Sequence, residues 1–467
     1  MRKQFKYLKG DSQLIDQNVI PQSHIDVKTG VLEIILNVAK NLSIPSTVKE
    51  LSSSQENVID INGAKLIPWS DTSLSHGYPG LCILFGELDH MFPEDGWDVI
   101  GHSFMVEIQK SIEEYGIHST STFSGLAGIG FAARSLSRSG SRYQKFISSI
   151  NHLLIEHTKV RLEQIKNTST LGTIMSDYDV IEGLSGVGRY LLLYKDNVEA
   201  KNVLQDILQY MIDITKDIRV NDQHVPGWFV ASKNLFLETE QMANPIGNFN
   251  CGLSHGIPGP MALLAVSIIE GVEIAGQKEA IAKVGEWLIR NIIESENGFY
   301  FPGTITWEDQ IKGIITPSVS RDAWCYGSPG VSRSLYLAGK ALKNDSFIKV
   351  AEYSLKSVFE RPTEQWGLHS PTFCHGFSGL LHITNLTNAS LQSKTLNVHT
   401  RKLVSNILSL YDKELPFGFQ DLEPSDLGMK AMNKAGFLDG TTTILLTLLA
   451  YYNNKNYTEW DTLFLLN

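Results

Sequence analysis

The feature that most constrains how this chain folds is a Gly-x-x-Gly unit that recurs along the sequence. Six copies are complete and a seventh keeps only its first glycine: Gly77–Gly80, Gly125–Gly128, Gly183–Gly186, Gly256–Gly259, Gly327–Gly330, Gly376–Gly379 and Gly440–Thr443. The copies lie roughly 50 to 70 residues apart, which is the length of a helical hairpin with variable loops. Self-similarity at this period predicts a repeat architecture in which neighbouring units bury each other's apolar faces.

Each glycine unit opens an apolar helical run of low charge, and amphipathic runs lie between the units. Apolar helices are predicted at Leu81–Leu88, Met261–Ile269 and Thr443–Tyr452, and amphipathic helices at Trp97–Tyr115, Tyr143–Ile165, Ala200–Lys216, Glu279–Ser295 and Ser346–Glu360. Alternation of the two kinds predicts two concentric layers, with the charge-poor helices inside. The alternative, a bundle whose helix starts are simply marked by glycine, is less favoured because six complete copies share one register.

We therefore predict an all-α protein, an α/α toroid of seven inner and seven outer helices. It forms a single domain over residues 1–467, with the repeats at about 30–450. The insertions Arg219–Asn250 and Glu296–Ser320 are expected to be loops or short strands bordering a central cavity. The first 25 residues and the last dozen are weakly patterned.

Cysteine usage and charge narrow the class of protein. The four cysteines form no CxxC pair, and the N-terminal sequence lacks the apolar segment of a signal peptide. The longest apolar runs fall well short of the roughly 20 residues that a spanning helix needs. These features predict a reduced, cytoplasmic protein with functional thiols. The formal charge of −10 argues against nucleic acid as a partner.

Three residues beside the glycine units have the chemistry of metal ligands. Cys325 and Cys374 each stand two residues before a glycine of consecutive repeats, and His375 stands one residue before. Two thiols and one imidazole that meet at one point form a Cys2His zinc site with an open coordination position. Cys82 and Cys251 stand at other offsets, and we assign them to packing.

Other side chains are expected to face the same cavity. His255 stands one residue before Gly256, in the repeat adjoining that of Cys325, and its twin His76 lies farther around the ring. Asp179 comes from the repeat before that of His255, and Glu182 could also reach the cavity, although helix N-termini favour Glu without a catalytic role. The segment around Cys325 contains two charged and two aromatic residues, namely Arg321, Asp322, Trp324 and Tyr326. We expect them to form a charged and aromatic wall around the metal site. The alternative is an Arg–Asp ion pair with aromatic packing.

A zinc ion in this ligand set could generate hydroxide, polarise a carbonyl or bind a thiol as thiolate. Two anionic sulfur ligands make thiol activation the better fit. The sequence has no HExxH motif, which disfavours a zinc protease.

The segments YDVIEGLSG, SHGIPG, SRDAWCYGSPG, FCHGFSGL and FLDG resemble the lanthionine synthetase C-like cyclases of lantibiotic biosynthesis, over roughly residues 30 to 450. The resemblance implies a toroid with one zinc ion, held here by Cys325, Cys374 and His375. It implies acid/base roles for His255 and Asp179, and site-lining roles for Arg321, Trp324 and Tyr326. The activity implied is addition of cysteine thiols to dehydroalanine or dehydrobutyrine in a precursor peptide, which forms lanthionine or methyllanthionine thioethers.

The resemblance also implies partners, namely the dehydrated lantibiotic precursor peptide, a dehydratase and an ABC transporter in a complex at the inner face of the membrane. Two departures from the family pattern are Thr443, where a second glycine is usual, and His76 in the first unit. The main alternative is a non-catalytic relative that binds zinc and glutathione or another thiol. A protein prenyltransferase subunit and a two-carboxylate glycosidase fit less well, and the glycosidase leaves the cysteines unexplained.

Overall fold

The computed structural model describes residues 23–61, 64–168, 171–317 and 321–467. The described residues exclude most of the weakly patterned N-terminal segment. They also exclude residues 318–320, which end the second predicted insertion and include Ser320 of the motif around Cys325.

The described residues contain seven inner helices, and each begins one or two residues after the first glycine of a repeat. These helices are Tyr78–Met91, Leu126–Ser135, Leu184–Leu192, Pro258–Ile269, Ser328–Leu342, Phe377–Leu391 and Thr441–Asn453. Most of their side chains are buried, because each helix has protein on all sides. Consecutive inner helices contact one another, and the seventh contacts the first. The ring closes, which confirms the predicted α/α toroid.

Seven helices form the outer layer, and each packs against the inner layer. They are Ser23–Asn41, Trp97–Tyr115, Gln144–Asn167, Val198–Asp213, Gln277–Arg290, Asp345–Phe359 and Lys394–Leu408. Six follow their inner helix in sequence. The helix Ser23–Asn41 instead packs on the last inner helix, Thr441–Asn453, so the start of the described chain completes the seventh pair.

The predicted outer helices agree with the structure to within a few residues, with one exception. The helix predicted at Glu279–Ser295 ends at Arg290, and Ile293–Ser295 is a β-strand. The side chain of Asn291 donates a hydrogen bond to the Trp287 carbonyl (2.9 Å), a local bond that competes with continued helix.

Short helices and strands fill the connections. The short helices and 3-10 turns are Pro45–Ser52, Gln55–Asn57, Met175–Tyr178, Ser232–Asn234, Glu238–Ala243, Trp307–Lys312, Thr363–Trp366 and Trp460–Phe464. The strands are Ile59–Ile61, Ala64–Leu66, Asp217–Val220, Gln223–Pro226, Val230–Ala231, Gly247–Asn250, Ile293–Ser295, Gly298–Tyr300, Thr304–Thr306, Asp421–Ser425 and Gly428–Met432. They form antiparallel hairpins and one three-stranded sheet, in which Gly247–Asn250 is central and Phe249 pairs with Ile305. Both predicted insertions thus contain short strands.

A closed ring of main-chain hydrogen bonds joins the seven loops that precede the inner helices. The N–H to carbonyl pairs are Ser75 to Phe123 (3.0 Å), Phe123 to Ile181 (3.4 Å), Val180 to Ser254 (3.0 Å), Ser254 to Cys325 (3.3 Å), Cys325 to Cys374 (3.1 Å), Cys374 to Leu438 (3.1 Å) and Leu438 to Ser75 (3.2 Å). Every acceptor stands two residues before its glycine. Equivalent positions of all seven repeats therefore meet at one end of the toroid, which we call the loop end.

Glycine is required where these loops fold tightly onto the helix start. Gly327 has φ +92°, and a Cβ there would lie 1.9 Å from the Arg321 carbonyl oxygen. A Cβ on Gly330 would lie 2.1 Å from the Trp324 carbonyl oxygen. Only glycine permits backbone approach this close, which explains why the unit repeats. Thr443, the departure in the seventh unit, is fully buried, and its hydroxyl lies 3.4 Å from the Gly440 carbonyl oxygen.

The centre of the ring is filled by the last residues of the chain. The ring of Phe464 stacks on Phe373 and Phe437, with centroids 4.0 Å and 5.1 Å away. The Trp324 indole N–H donates to the Phe464 carbonyl (3.0 Å), and residues 463–466 are at most 2% exposed. The weak sequence pattern of this segment gave no sign of this role.

The two ends of the toroid differ in their connections. Away from the loop end, inner and outer helices are joined by short turns such as 193–197, 343–344 and 392–393. At the loop end the connections 214–257, 291–327 and 409–440 are much longer. Among the described helices, none combines the length and apolar character needed to cross a bilayer.

Candidate metal centre and active site

The two thiols predicted to bind zinc lie side by side at the loop end. The main-chain hydrogen bond from Cys325 to Cys374 places them at adjacent points of the ring, and the Cys374 thiol donates to the Cys325 sulfur. This hydrogen bond lowers the pKa of Cys325 more than burial raises it, and the positive charges of His375 and Arg321 lower it further. The same bond raises the pKa of Cys374. The pair therefore carries one thiolate readily, and a metal ion bound to both sulfurs would displace the proton of the second thiol.

His375 is held by a carboxylate behind it. Its Nε2 lies 3.0 Å from Oδ1 of Asp421, which is fully buried on its side chain. Burial lowers the pKa of His375, but Asp421 more than offsets this and the value rises to about 9. Donation from Nε2–H leaves Nδ1 as the nitrogen available to a metal. A carboxylate that orients the imidazole in this way is typical of metal sites, so these residues fit a zinc ion.

A buried lysine balances the carboxylates behind His375. Lys434 Nζ lies 2.9 Å from Asp421, 2.5 Å from Glu423 and 2.7 Å from Asp439, and its side chain is 5% exposed. Ligand atoms of His375, Asp421 and Glu423 lie within 4.8 Å of one another and form a second possible metal set. Because Lys434 already neutralises both of those carboxylates, we favour the two thiols with His375.

His255 and Asp179 form a fixed dyad. Nδ1 of His255 lies 2.5 Å from Oδ2 of Asp179, which is fully buried. The other oxygen of Asp179 accepts hydrogen bonds from the N–H groups of Glu182 (2.8 Å) and Gly183 (2.7 Å). The His255 side chain is 27% exposed, and because Nδ1 is bound to Asp179, Nε2 is the nitrogen left to act on a bound molecule. Burial lowers the pKa of His255, but Asp179 outweighs burial and the value lies above its ordinary 6.5.

Arg321 and Tyr326 flank the thiols. Arg321 is exposed, and its charge contributes to the lowered pKa of Cys325. The Tyr326 hydroxyl accepts a hydrogen bond from Asn250 Nδ2 (3.0 Å), and burial raises its pKa. The phenol therefore stays protonated and keeps its own O–H available to donate.

Trp324 and Asp322 belong to the core rather than to the site wall. Trp324 is 0% exposed and packs edge-on against Phe464, with centroids 4.9 Å apart. Asp322 pairs with Arg361 Nη2 (2.7 Å) and not with Arg321, and burial raises the pKa of Asp322 to about 6. The structure thus places the predicted site residue Trp324 in a packing position.

The remaining predicted side chains take supporting positions. His76 Nδ1 lies 3.3 Å from Asp439, so it joins the charge network behind His375 from the first repeat. Glu182 accepts hydrogen bonds from the Ser124 hydroxyl (2.8 and 2.9 Å). Cys82 and Cys251 lie in the core, at 0% and 1% exposed.

The sequence did not predict the roles of three charged residues in the connection 409–440, because no motif marks them. These residues are Asp421, Glu423 and Lys434. Asp439 could have been found. It stands one residue before Gly440, the register position that His255 and His375 occupy in their own repeats.

Comparison with known proteins places this geometry in a family. A family profile for lanthionine synthetase C-like proteins matches residues 68–465. The chain is 28% identical over 403 residues to the nisin biosynthesis protein NisC of Lactococcus lactis subsp. lactis, covering 85% of this chain and 90% of that protein. A solved structure of nisin cyclase superposes with a TM-score of 0.75 at 26% identity, covering 94% of this chain and 98% of that one. A GH76A α-1,6-mannanase from Salegentibacter gives a TM-score of 0.40 at 10% identity, covering 91% of this chain and 99% of that one.

Proposed function

This chain belongs to the lanthionine synthetase C-like family, and on this premise we propose that it is a zinc-dependent cyclase of lantibiotic precursor peptides. Its substrates are cysteine thiols and dehydroalanine or dehydrobutyrine residues of one dehydrated peptide. Its products are lanthionine and methyllanthionine thioether rings.

The observation that carries the proposal is that the cysteine pair and the dyad of His255 and Asp179 are neighbours at the loop end. Cys325 and Cys374 are joined by a direct main-chain hydrogen bond and share a thiol hydrogen bond. The repeat before that of Cys325 supplies His255, fixed by the buried Asp179. A ligand set suited to a soft metal therefore adjoins a proton-carrying group, which is what thiol addition to a double bond requires.

Cys325, Cys374 and His375 would hold the zinc ion, whose contribution when bound is to lower the pKa of the substrate thiol. Asp421 keeps the His375 ring oriented through Nε2. The charge of Arg321, which already acts on the pKa of both cysteines, limits the build-up of negative charge around the thiols.

The addition itself is redox-neutral. The substrate thiol loses its proton to solvent, a bond forms between sulfur and the β-carbon of the dehydro residue, and the carbon–carbon π bond breaks. The electron pair moves to the α-carbon, which must then take up one proton. We assign delivery of that proton to Nε2 of His255, because its Nδ1 is committed to Asp179.

The test is product analysis with a dehydrated precursor peptide. Because His255 delivers the proton from one side, the protein should yield thioether residues of a single configuration at the α-carbon, whereas spontaneous addition gives a mixture. Acid hydrolysis followed by chiral amino-acid analysis measures this. Lanthionine in the same amount and the same mixture as in buffer would overturn the assignment. The protein would then be a thiol-binding relative without catalysis.

Partners follow from the same proposal. The precursor must arrive already dehydrated, so a dehydratase acts before this protein. We propose that both act beside an ABC transporter at the cytoplasmic face of the membrane, where the product is exported.

A further inference from the structure

A short apolar segment borders the site and has no role in the chemistry above. We call residues 235–244 the flap. It lies in the long connection 214–257 at the loop end and contains the helix Glu238–Ala243. The Phe236 ring meets the His255 ring edge-on, with centroids 5.4 Å apart. Burial raises the pKa of Tyr326, and the charge of Glu240 raises it further. The flap therefore lies near both His255 and Tyr326.

Three large apolar side chains of the flap face water. Phe236 is 54% exposed, Leu237 49% and Met242 75%. Exposed apolar area is unfavourable at about 25 cal/mol per Å², and several exposed apolar side chains in one segment beside a functional site are typical of a binding surface.

Polar hydrogen bonds hold the flap in this arrangement. The Ser232 hydroxyl donates to the Gln241 carbonyl (3.2 Å), and Gln241 Nε2 donates to the Leu235 carbonyl (3.1 Å). Asn244 Nδ2 donates to the Glu240 carbonyl (2.9 Å). These bonds fix the shape of the flap and join it to Ser232 of the same connection, while its three apolar side chains stay exposed.

We propose that the flap is the docking surface for apolar side chains in the peptide segment between the reacting cysteine and the dehydro residue. The inference rests on the proposed function. Both ends of that segment are fixed at the site during ring closure, so the residues between them lie close to His255, which Phe236 contacts. Glu238 and Glu240 flank the apolar side chains and favour a neutral or basic peptide over an acidic one.

The test compares two short synthetic peptides that each carry one dehydroalanine and one cysteine. One has leucine between these residues and the other has serine. In the double variant Leu237→Ser/Met242→Ser, KM for the leucine peptide should rise about tenfold, because it loses apolar contact area. KM for the serine peptide, kcat for both and zinc content should not change.

The matched control is Val198→Ser. Val198 is 72% exposed but begins an outer helix at the opposite end of the toroid. It should leave both KM values unchanged. An unchanged KM for the leucine peptide in the flap variant, or an equal rise for both peptides, would overturn the docking proposal.

A separate measurement distinguishes this proposal from the proposed function. Fluorescence anisotropy with a labelled leucine peptide whose cysteine is replaced by serine reports binding without cyclisation. Weaker binding by the flap variant than by Val198→Ser supports docking, even if the wild type cyclises nothing. Equal affinity of the wild type and the flap variant overturns docking, even if the wild type is an active cyclase.

Discussion

At the residue scale, two histidines are held through different ring nitrogens by the buried carboxylates behind them. His255 binds Asp179 through Nδ1, whereas His375 binds Asp421 through Nε2. The opposite ring nitrogen is therefore free in each case, Nε2 in His255 and Nδ1 in His375. Asp421 is also bound by Lys434, so a positive charge partly neutralises the carboxylate that holds His375. Asp179 instead accepts hydrogen bonds from uncharged main-chain N–H groups, so its negative charge acts mainly on His255.

The dyad makes a prediction about pH. Asp179 holds the pKa of His255 above 6.5, so His255 remains a proton donor to higher pH than an ordinary histidine. The rate should fall as pH rises through that raised pKa. In Asp179→Asn, burial is no longer offset, and this fall should move to lower pH. The measurement is kcat against pH.

Glu182→Gln is the control for the pH profile. Glu182 also raises the pKa of His255, but only through its charge and as the smallest of the causes. Its variant should shift the profile less than Asp179→Asn does. Equal profiles for the wild type and Asp179→Asn would contradict the role of the dyad.

A second residue prediction concerns Lys434. Its removal in Lys434→Met leaves Asp421, Glu423 and Asp439 without their buried counter-charge. The free energy of unfolding should drop by about 3–5 kcal/mol. Urea denaturation measures this, with Lys413→Met, whose lysine side chain is 80% exposed, expected to change it by less than about 0.5 kcal/mol. Equal stability of the two variants would show that the network contributes little.

The sequence predicted that Cys325 and Cys374 lie close together because they share an offset from glycine, and a main-chain hydrogen bond joins them in the structure. Their role as zinc ligands stays a prediction. Sequence reasoning could not identify Lys434, since nothing in a variable connection shows which lysine will be buried. It misplaced Trp324, because neighbouring residues of a tight loop point in opposite directions. Cys325 lies beside Cys374, whereas the Trp324 indole is buried in the core and donates to the Phe464 carbonyl.

At the scale of the elements, the inner helices and their loops form the unit that builds the site. Each inner helix starts where a glycine loop closes on it, and all seven starts converge on the hydrogen-bonded ring. The positive ends of the helix dipoles are thereby gathered at the loop end, where they favour thiolates. The helix positions were predictable from periodicity. The β-strand Ile293–Ser295 was not, because the termination at Asn291 depends on one side-chain hydrogen bond.

The glycine units allow a direct test at this scale. Gly330→Ala places a Cβ 2.1 Å from the Trp324 carbonyl, so the backbone next to Cys325 must shift. We expect a loss of about 1–3 kcal/mol in the free energy of unfolding and a lower zinc content. Gly30→Ala, in the outer helix Ser23–Asn41, meets nothing within 4 Å and should gain about 0.5–1 kcal/mol. Similar effects of the two substitutions would contradict the close-approach explanation.

At the scale of the whole molecule, both ends of the described chain complete the toroid. The helix Ser23–Asn41 pairs with the last inner helix, and residues 460–466 fill the centre. The number of repeats was predictable from the glycine units. The contribution of the chain ends was not, because it depends on contacts between distant segments that no local pattern records.

The central segment makes its own prediction. Phe464→Ala should lower the free energy of unfolding by about 3–5 kcal/mol, because Phe464 stacks within the aromatic cluster at the centre of the ring. Chemical denaturation of the variant measures this. Tyr115→Ala, which removes a ring that is 69% exposed, should change stability by less than about 0.5 kcal/mol. A small effect at Phe464 would mean that the ring is held by its outer layer alone.

The most direct test of the whole account is a count of free thiols in a dehydrated precursor peptide after incubation with the zinc-loaded protein. Alkylation followed by mass spectrometry gives this count. We predict that one thiol disappears for each dehydro residue consumed while the mass of the unalkylated peptide stays the same. Cys374→Ala should leave the thiol count at the value that the peptide reaches in buffer alone. An unchanged thiol count with the wild-type protein, with zinc and peptide both bound, would contradict the assignment of this chain as a cyclase.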